Sequence, residues 1–403
     1  MSAPELTEVR SPMNLDQLCT YLSNVSKQTG ETHIGEQACI PRSLKIIKQF
    51  KFGQSNPTYY FEDESGRSFV LRRKPTQNAK LISRSAHAIE REFFILNGIN
   101  VLNQDMKLKI PVPHVHLLCE DESVIGYVFY IMDYVPGMQI KNPSLPGIPQ
   151  NSPDRTTIWK SIIETIAAIH LLDVEKLITL LPPRLFPQFQ NLPKLRESSY
   201  FSRQIKTLKG IHHKQSQHVD AIPNFDKITQ WLLVKAPKDP AKLTLIHGDF
   251  KIDNVLFDPK TKKVCGVLDW ELCTVGNPLF DLSNFLQPFA IPNKLNLMFF
   301  YPQKTDMGNE NKSSRDFLHA QLVNYTKLVK WDPNDPKNNP IDLWPIGHTF
   351  GLLRLCVISQ GIAMRVKLGN ASSAQAEGYA GMYPYLSELA MENVNLDHAE
   401  SKI

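Results

Sequence analysis

The stretch "LIHGDFKIDNVLFD", residues 245–258, restricts the fold more than any other part of the chain. Apolar residues at its ends read as strand, and between them stand a histidine, three aspartates and an asparagine. Two short strands are predicted here, Asn254–Phe257 and Val264–Leu268, with the turn "DPKTKK" between them. A hairpin of this length folds the chain back on itself, so the acid in "GVLDWE" at its far end returns beside Asp249 and Asn254. Any fold for this chain must hold a hairpin with carboxylates gathered at one end.

The surroundings are those of an ordinary globular chain: 403 residues, 42% hydrophobic and 21% charged, with a formal net charge of +5. The mild positive excess suits an anionic small molecule. No dense Lys/Arg patch suggests nucleic acid. The six cysteines form no CxxC pair, which gives neither a zinc site nor a disulfide framework and fits a reducing compartment. No run approaches the ~18 consecutive apolar residues of a membrane span, and "MSAPELTEVRSPMN" lacks the apolar core of a signal peptide.

Along the chain, residues 1–40 read as a tail and a helix that starts at Asn14 as its cap. Residues 41–137 read as a small sheet crossed by one helix. A strand "LKIIKQF" precedes a hairpin around Glu64-Ser65-Gly66, and two strands follow near 114–118 and 127–132. Between them Ala86, Ile89, Phe93 and Leu96 recur at helical spacing. Residues 138–398 open with a Pro/Gly/Asn/Ser-rich connection and are mainly helical. Ile158, Ile162, Ile166 and Ile169 mark one helix face, and further helices are expected near 196–217, 224–236, 314–330, 345–367 and 372–390. Residues 399–403 form a short tail.

The hairpin carries the chemistry. Phosphoryl transfer needs a carboxylate to orient the attacking hydroxyl and accept its proton, with oxygen ligands for magnesium on the nucleotide phosphates. Asp249 suits the first role, and Asn254 with Asp269 suits the second. Taken singly, each is a common turn residue that caps its own backbone. Together, H-x-D, an asparagine five residues after the Asp, and a hairpin ending in apolar-Asp-Trp resemble the catalytic and metal loops of the protein-kinase-like fold.

"HGDFKIDN", "VLDWE" and "GNPLFDL" are similar to the aminoglycoside phosphotransferase and choline kinase branch of that fold. The resemblance implies an α+β, two-lobed architecture, with a small antiparallel-sheet N-lobe and a mainly helical C-lobe, and ATP and Mg2+ as cofactors. It implies Asp281 as a buried acid supporting the catalytic segment, with His247 in a similar structural role. Lys251 either touches the transferred phosphate or is a solvated loop lysine. In "FVLRRKP", Arg72 stands where the fold places a phosphate-binding cation, its partner being Glu92 on the crossing helix, with Glu90 as competitor. In the nucleotide loop "KFGQSNPTYY", Ser55, Asn56 and neighbouring amides would cover phosphate oxygens. Asp133, Tyr134 and Val135 in "IMDYVPG" would offer backbone groups to the base.

Further segments, among them "GQSNPTYY", "SAHAIEREFFIL", "SSYFSRQI" and "GIAMRVKLGNASS", resemble the kinase-like domain of acyl-CoA dehydrogenase family members ten and eleven. That resemblance implies ATP-dependent phosphorylation of a CoA-linked hydroxyacyl acceptor by a chain without the dehydrogenase module. Tyr200, Arg203 and Arg365 are candidate acceptor contacts, and Arg354 is another cation on the same helical stretch. The blander account makes Tyr200 a core aromatic. Kinases of amino alcohols, sugars or aminoglycosides, and a nucleotide-binding pseudokinase, remain the alternatives. The final Ser401-Lys402-Ile403 resembles S-K-L, which is read by the peroxisomal import receptor, so peroxisomal rather than cytoplasmic residence is expected.

Overall fold

The computed structural model describes residues 5–25, 32–41, 43–51, 56–75, 89–240, 242–292, 312–330, 339–369 and 376–400. Packing divides the chain into two units. The first comprises residues 1–141, 147–190 and 247–274, so the catalytic hairpin packs with the sheet. The second comprises residues 142–146, 191–246 and 275–403.

The first unit is built on a seven-stranded antiparallel sheet: β1 (Leu6–Thr7), β2 (Thr32–Ile34), β3 (Ile46–Phe50), β4 (Thr58–Glu62), β5 (Ser68–Arg73), β6 (Val115–Cys119) and β7 (Phe129–Asp133). Its order is β1-β3-β4-β5-β7-β6-β2. The sequence pattern predicts five of these strands. β1 and β2 fall in the segment read as a tail and helix, and with two and three residues they are too short for alternation to reveal.

Asn14 caps the first helix, Leu15–Asn24, by accepting from the Gln17 N–H at 3.0 Å. That helix buries Leu18, Tyr21 and Leu22 against Tyr59, Phe61, Phe69, Leu71 and Phe129. The strand period of two then decides the roles of the adjacent arginines. Phe69 and Leu71 face this core, and Arg73 is 1% exposed with its Nε donating to Tyr59 Oη at 3.0 Å. Val70 and Arg72 face the opposite side. A one-residue slip would exchange the two cations.

The helix Ile89–Asn103 covers that opposite side, placing Glu92, Phe93 and Leu96 inward. The helix Pro153–Leu171 is capped by Ser152, and its Ser161 Oγ accepts from the Val264 N–H at 2.7 Å, tying the catalytic hairpin to this unit. The hairpin itself pairs Val255–Phe257 with Val264–Val267, and Met138–Gln139 adds a third strand.

In the second unit the helix Trp344–Lys367 is central, its Phe350, Leu353, Cys356 and Val357 packing with residues of Tyr200–Gln215, Phe225–Lys235, Pro278–Ala290 and Tyr383–Glu400. It is the one helix among the described residues long and apolar enough to cross a membrane, and its inward face is the core of this unit. The helix Pro278–Ala290 is absent from the sequence-based expectation; Asn277 caps it and Pro278 opens it, but Pro288 lies inside it and reads as a breaker.

His348 in this core is 7% exposed, stacks on Trp344, and has its imidazole pulled down to about 4 by burial. A histidine depressed in the folded state contributes stability above its unfolded value near 6.5 and loses it as pH falls toward 4. The wild-type chain should therefore lose up to about 3 kcal/mol between those pH values from this group. Urea unfolding of His348→Phe across that window should show a correspondingly flatter profile, and an unchanged profile would contradict the assignment.

Candidate active site

His247 is fully buried and joins the two loops of the hairpin. Its Nδ1 accepts from the Asp249 N–H at 3.2 Å, which leaves Nε2 as the protonated nitrogen donating to Leu268 O at 2.9 Å. The intervening Gly248 has φ +84°, and a Cβ there would stand 2.4 Å from Leu272 O. Only glycine meets both conditions. At the other end of the hairpin Asp269 adopts φ 70° and ψ 57°, a left-handed backbone that a side-chain-bearing residue keeps only where its surroundings hold it there.

Two clusters result. In the first, Asn254 Nδ2 donates to Asp249 O at 2.9 Å and to Asp249 Oδ2 at 3.2 Å, which orients Oδ1 as the remaining acceptor. Lys251 Nζ lies 3.2 Å from Asp249 Oδ2 and 3.8 Å from Asp253 Oδ2. Burial works against the ammonium, but the charges of Asp249 and Asp253 outweigh it and push the lysine up, so it stays protonated.

Arg72 centres the second cluster. Nη1 meets Glu92 Oε1 at 2.7 Å, and Nη2 meets Asp269 Oδ1 at 3.1 Å and Glu271 Oε2 at 3.6 Å. Of the two acids considered on the helix, Glu92 therefore pairs with Arg72, while Glu90 pairs with Lys74. Burial opposes the guanidinium, yet Glu92 above all keeps it charged. Glu92 also accepts from the Trp270 N–H at 3.3 Å.

Glu271 is a site residue that sequence reasoning passed over. Its carboxylate accepts from Asn56 Nδ2 at 3.1 Å, and burial together with the Asp269 charge pushes it up to about 7. Its only signal was adjacency to Asp269 in "VLDWE". Asn56 was expected at the phosphates; its side chain is fully buried against Glu271 instead. Ser55 and the tripeptide Ser401–Ile403 lie outside the described residues.

A cavity of about 230 Å³ opens between β5, β7 and the hairpin. Its lining combines apolar Val70, Leu96, Met132, Leu256 and Val267 with polar Arg72, Glu92, Asp253, Asn254 and Asp269. Asp133, Tyr134 and Val135 border it, but the first two amides donate to His114 O at 2.9 Å and Ser68 O at 3.2 Å. The strand end continues further than expected and uses them, leaving Val135 as the amide for a ligand.

Five carboxylates (Glu92, Asp249, Asp253, Asp269, Glu271) share this site with Arg72 and Lys251, an excess of negative charge that a divalent cation would relieve. Among the described residues there is no cluster of three or more His, Cys, Asp or Glu with metal-binding geometry. Two protein oxygens, Asn254 Oδ1 and the Asp269 carboxylate, fit magnesium, which keeps waters and phosphate oxygens in its shell.

The remaining candidates belong to the helical unit. Asp281 is fully buried in the first turn of Pro278–Ala290. Tyr200 is 4% exposed and edge-on to Phe280 at 5.4 Å, a core aromatic with little surface to offer an acceptor. Arg203 Nη1 donates to Leu195 O at 2.8 Å, and Arg365 lies in the last turn of Trp344–Lys367.

Residues 46–300 match the sequence profile described as the phosphotransferase enzyme family. The chain belongs to that phosphotransferase family. Acyl-CoA dehydrogenase family member 10 of Mus musculus is 32% identical over 395 residues, 97% of this chain and 32% of that protein. Family member 11 of Mus musculus is 32% identical over 357 residues, 87% of this chain and 40% of that one. The phosphotransferase chain thus spans about a third to two fifths of the length of these curated relatives. Among solved structures, a candidate aminoglycoside phosphotransferase from Ralstonia eutropha superposes with a TM-score of 0.70 at 27% identity, covering 95% of this chain and 99% of that one. The GDP complex of an aminoglycoside 2′-phosphotransferase-IIIa variant gives 0.52 at 12% identity, covering 93% and 100%, a likeness of fold.

Gly248→Ala should place a methyl group against Leu272 O in a left-handed backbone. It is expected to lower stability by at least about 2 kcal/mol and to displace Asp249. Urea unfolding and turnover of this variant check both, and a chain that keeps wild-type values on each would show that the tight loop is dispensable.

Proposed function

We propose that the chain is an ATP- and magnesium-dependent kinase that transfers the γ-phosphoryl group to the hydroxyl of a hydroxyacyl-CoA. The observation carrying this reading is the convergence, in the lining of one cavity, of Arg72 paired to Glu92, of Asp269, and of Asn254 bonded to Asp249. The names of the acyl-CoA dehydrogenase relatives support the acyl-CoA half of the reading, and the nucleotide complex of the 2′-phosphotransferase supports nucleotide use.

In this mechanism the apolar side chains of the cavity pack against the base, with Val135 N–H as a donor. Arg72, locked by Glu92, holds phosphate oxygens with a planar fork. Asp249 orients the acceptor hydroxyl for in-line attack: a bond forms from that oxygen to the γ-phosphorus, the bond to the β–γ bridging oxygen breaks, ADP leaves, and the hydroxyl proton passes to Asp249. Lys251, kept protonated beside Asp249, offsets negative charge on the group in transfer. Asn254 and Asp269 would hold magnesium, which when bound neutralises charge on the phosphate oxygens. The same geometry serves another hydroxylated metabolite, such as an amino alcohol or sugar, and the acceptor is what the assay must decide.

Transfer of labelled phosphate from ATP to hydroxyacyl-CoAs, free hydroxy acids, choline and an aminoglycoside is the test, with Asp249→Asn as comparison. The wild-type chain should label a hydroxyacyl-CoA. Asp249→Asn should lose ~10²–10⁴-fold in turnover while its ATP affinity stays within about threefold. Labelling of choline or the aminoglycoside instead would overturn the acceptor, and full activity of Asp249→Asn would overturn the base.

A further inference from the structure

Residues 5–11 fall in the stretch read from sequence as a tail, yet they are tied to the end of β3. Leu6 and Thr7 pair with Phe50 and Gln49, and beyond that pairing the Lys51 N–H donates to Glu5 O at 3.0 Å. Thr7 Oγ1 donates to Gln49 O at 3.1 Å, and Arg10 Nη2 donates to Phe50 O at 2.9 Å. Gln49 is 6% exposed, and its Oε1 accepts from the N–H groups of Arg10 and Ser11 at 2.7 and 3.1 Å. A strand of two residues is weak by itself, so these side-chain bonds fix where the segment runs.

The segment delivers one side chain to the cavity described above. Glu5 lines it together with Val135 and with Phe50 and Tyr134, whose rings stack at 6.5 Å. Both Glu5 carboxylate oxygens meet Lys51 Nζ, at 3.0 and 2.9 Å. As an ion pair this is ordinary: the two side chains are 49% and 55% exposed, and such pairs add little to stability. A carboxylate offers about four lone-pair sites, so Lys51 leaves Glu5 able to accept further bonds at the cavity.

We infer that Glu5 accepts hydrogen bonds from the ribose hydroxyls of the nucleotide and makes the site selective for ribose over deoxyribose sugars. The inference rests on the function proposed above, under which the cavity holds ATP. A group that only accepts can bond only the donors of that molecule. The phosphates supply acceptors and negative charge, which the Glu5 carboxylate repels. Under the same reading the base turns its bonding edge to the Val135 N–H. The two adjacent ribose hydroxyls remain, and a carboxylate suits them, as it does in dinucleotide-binding folds where an acid holds the ribose 2′-hydroxyl. Gln139 is the rival acceptor in the lining, with its Nε2 donating to Asp253 O at 3.3 Å.

The test titrates ATP, 2′-deoxyATP and 3′-deoxyATP, each with magnesium, into the full chain by calorimetry, for wild type, Glu5→Ala and Lys51→Met. Both positions are half exposed, and thermal unfolding without nucleotide checks that each variant keeps the fold. Wild type should bind ATP at least about tenfold more tightly than one or both deoxy nucleotides. Glu5→Ala should reduce that preference to about twofold or less, and Lys51→Met should keep it. The three nucleotides share base and triphosphate. A Glu5 contact to the base, or an effect passed through Lys51 to the phosphates, would therefore weaken all three equally and overturn the inference. A preference kept in Glu5→Ala overturns it too and passes the sugar to Gln139, and a preference lost in both variants assigns it to the strand end rather than to the carboxylate. ATP bound by wild type without any sugar preference sinks this inference alone. No binding of any of the three nucleotides sinks the kinase reading beneath it as well.

Discussion

Arg72 is a nearly buried guanidinium, and a buried charge is tolerated only where well-placed partners surround it. Here they come from two parts of the chain far apart in sequence. Glu92 reaches it from the crossing helix, and Asp269 and Glu271 reach it from the far end of the hairpin. Strand, helix and loop are consequently fixed to one another through a single side chain. Removing Glu92 would leave Arg72 with two acids on a loop, and removing Arg72 would leave three carboxylates crowded together. The strand register matters for the same reason, since the neighbouring Arg73 is committed to Tyr59 in the opposite core.

The hairpin meets this cluster under a second constraint. His247 bonds to Asp249 N–H on one side and Leu268 O on the other, so the loop carrying the candidate base and the loop carrying the candidate ligand move together. Gly248 permits that approach, and Asp269 keeps a left-handed backbone within it. Catalytic groups held by buried polar bonds need little reorganisation when charge develops, which is the usual source of rate enhancement in phosphoryl transfer. The excess of carboxylates over cations makes the cavity suited to a metal-bearing nucleotide.

The sequence made the hairpin legible because its chemistry is local: His247, Asp249, Asn254 and Asp269 lie within 23 positions, among short apolar runs separated by the turn "DPKTKK". Arg72 and its acid were also within reach, since the resemblance to the protein-kinase-like fold implies a cation at Arg72 and an acid on the crossing helix, where Glu92 and Glu90 stand. Glu271 was not, because its meaning comes from Asn56, 215 residues away. Asp133, Tyr134 and Val135 were expected to offer backbone groups to a base; that the first two amides are taken by the sheet was not legible, because nothing local tells where a strand stops pairing. The helix Pro278–Ala290 escaped although its polar residues recur at helical spacing, since Pro288 inside it reads as a breaker, and the short edge strands escaped because two or three residues contain no period.

The central claim is that the Arg72 cluster holds nucleotide phosphates. The direct measurement is calorimetric binding of ATP with magnesium, and of adenosine, to wild type and to Arg72→Met/Glu92→Leu, which removes the buried pair together and leaves Asp269 and Glu271 on the loop. The account requires ATP to weaken by at least about tenfold in the double variant while adenosine stays within about twofold. Equal loss for both ligands, or ATP affinity unchanged, would contradict it.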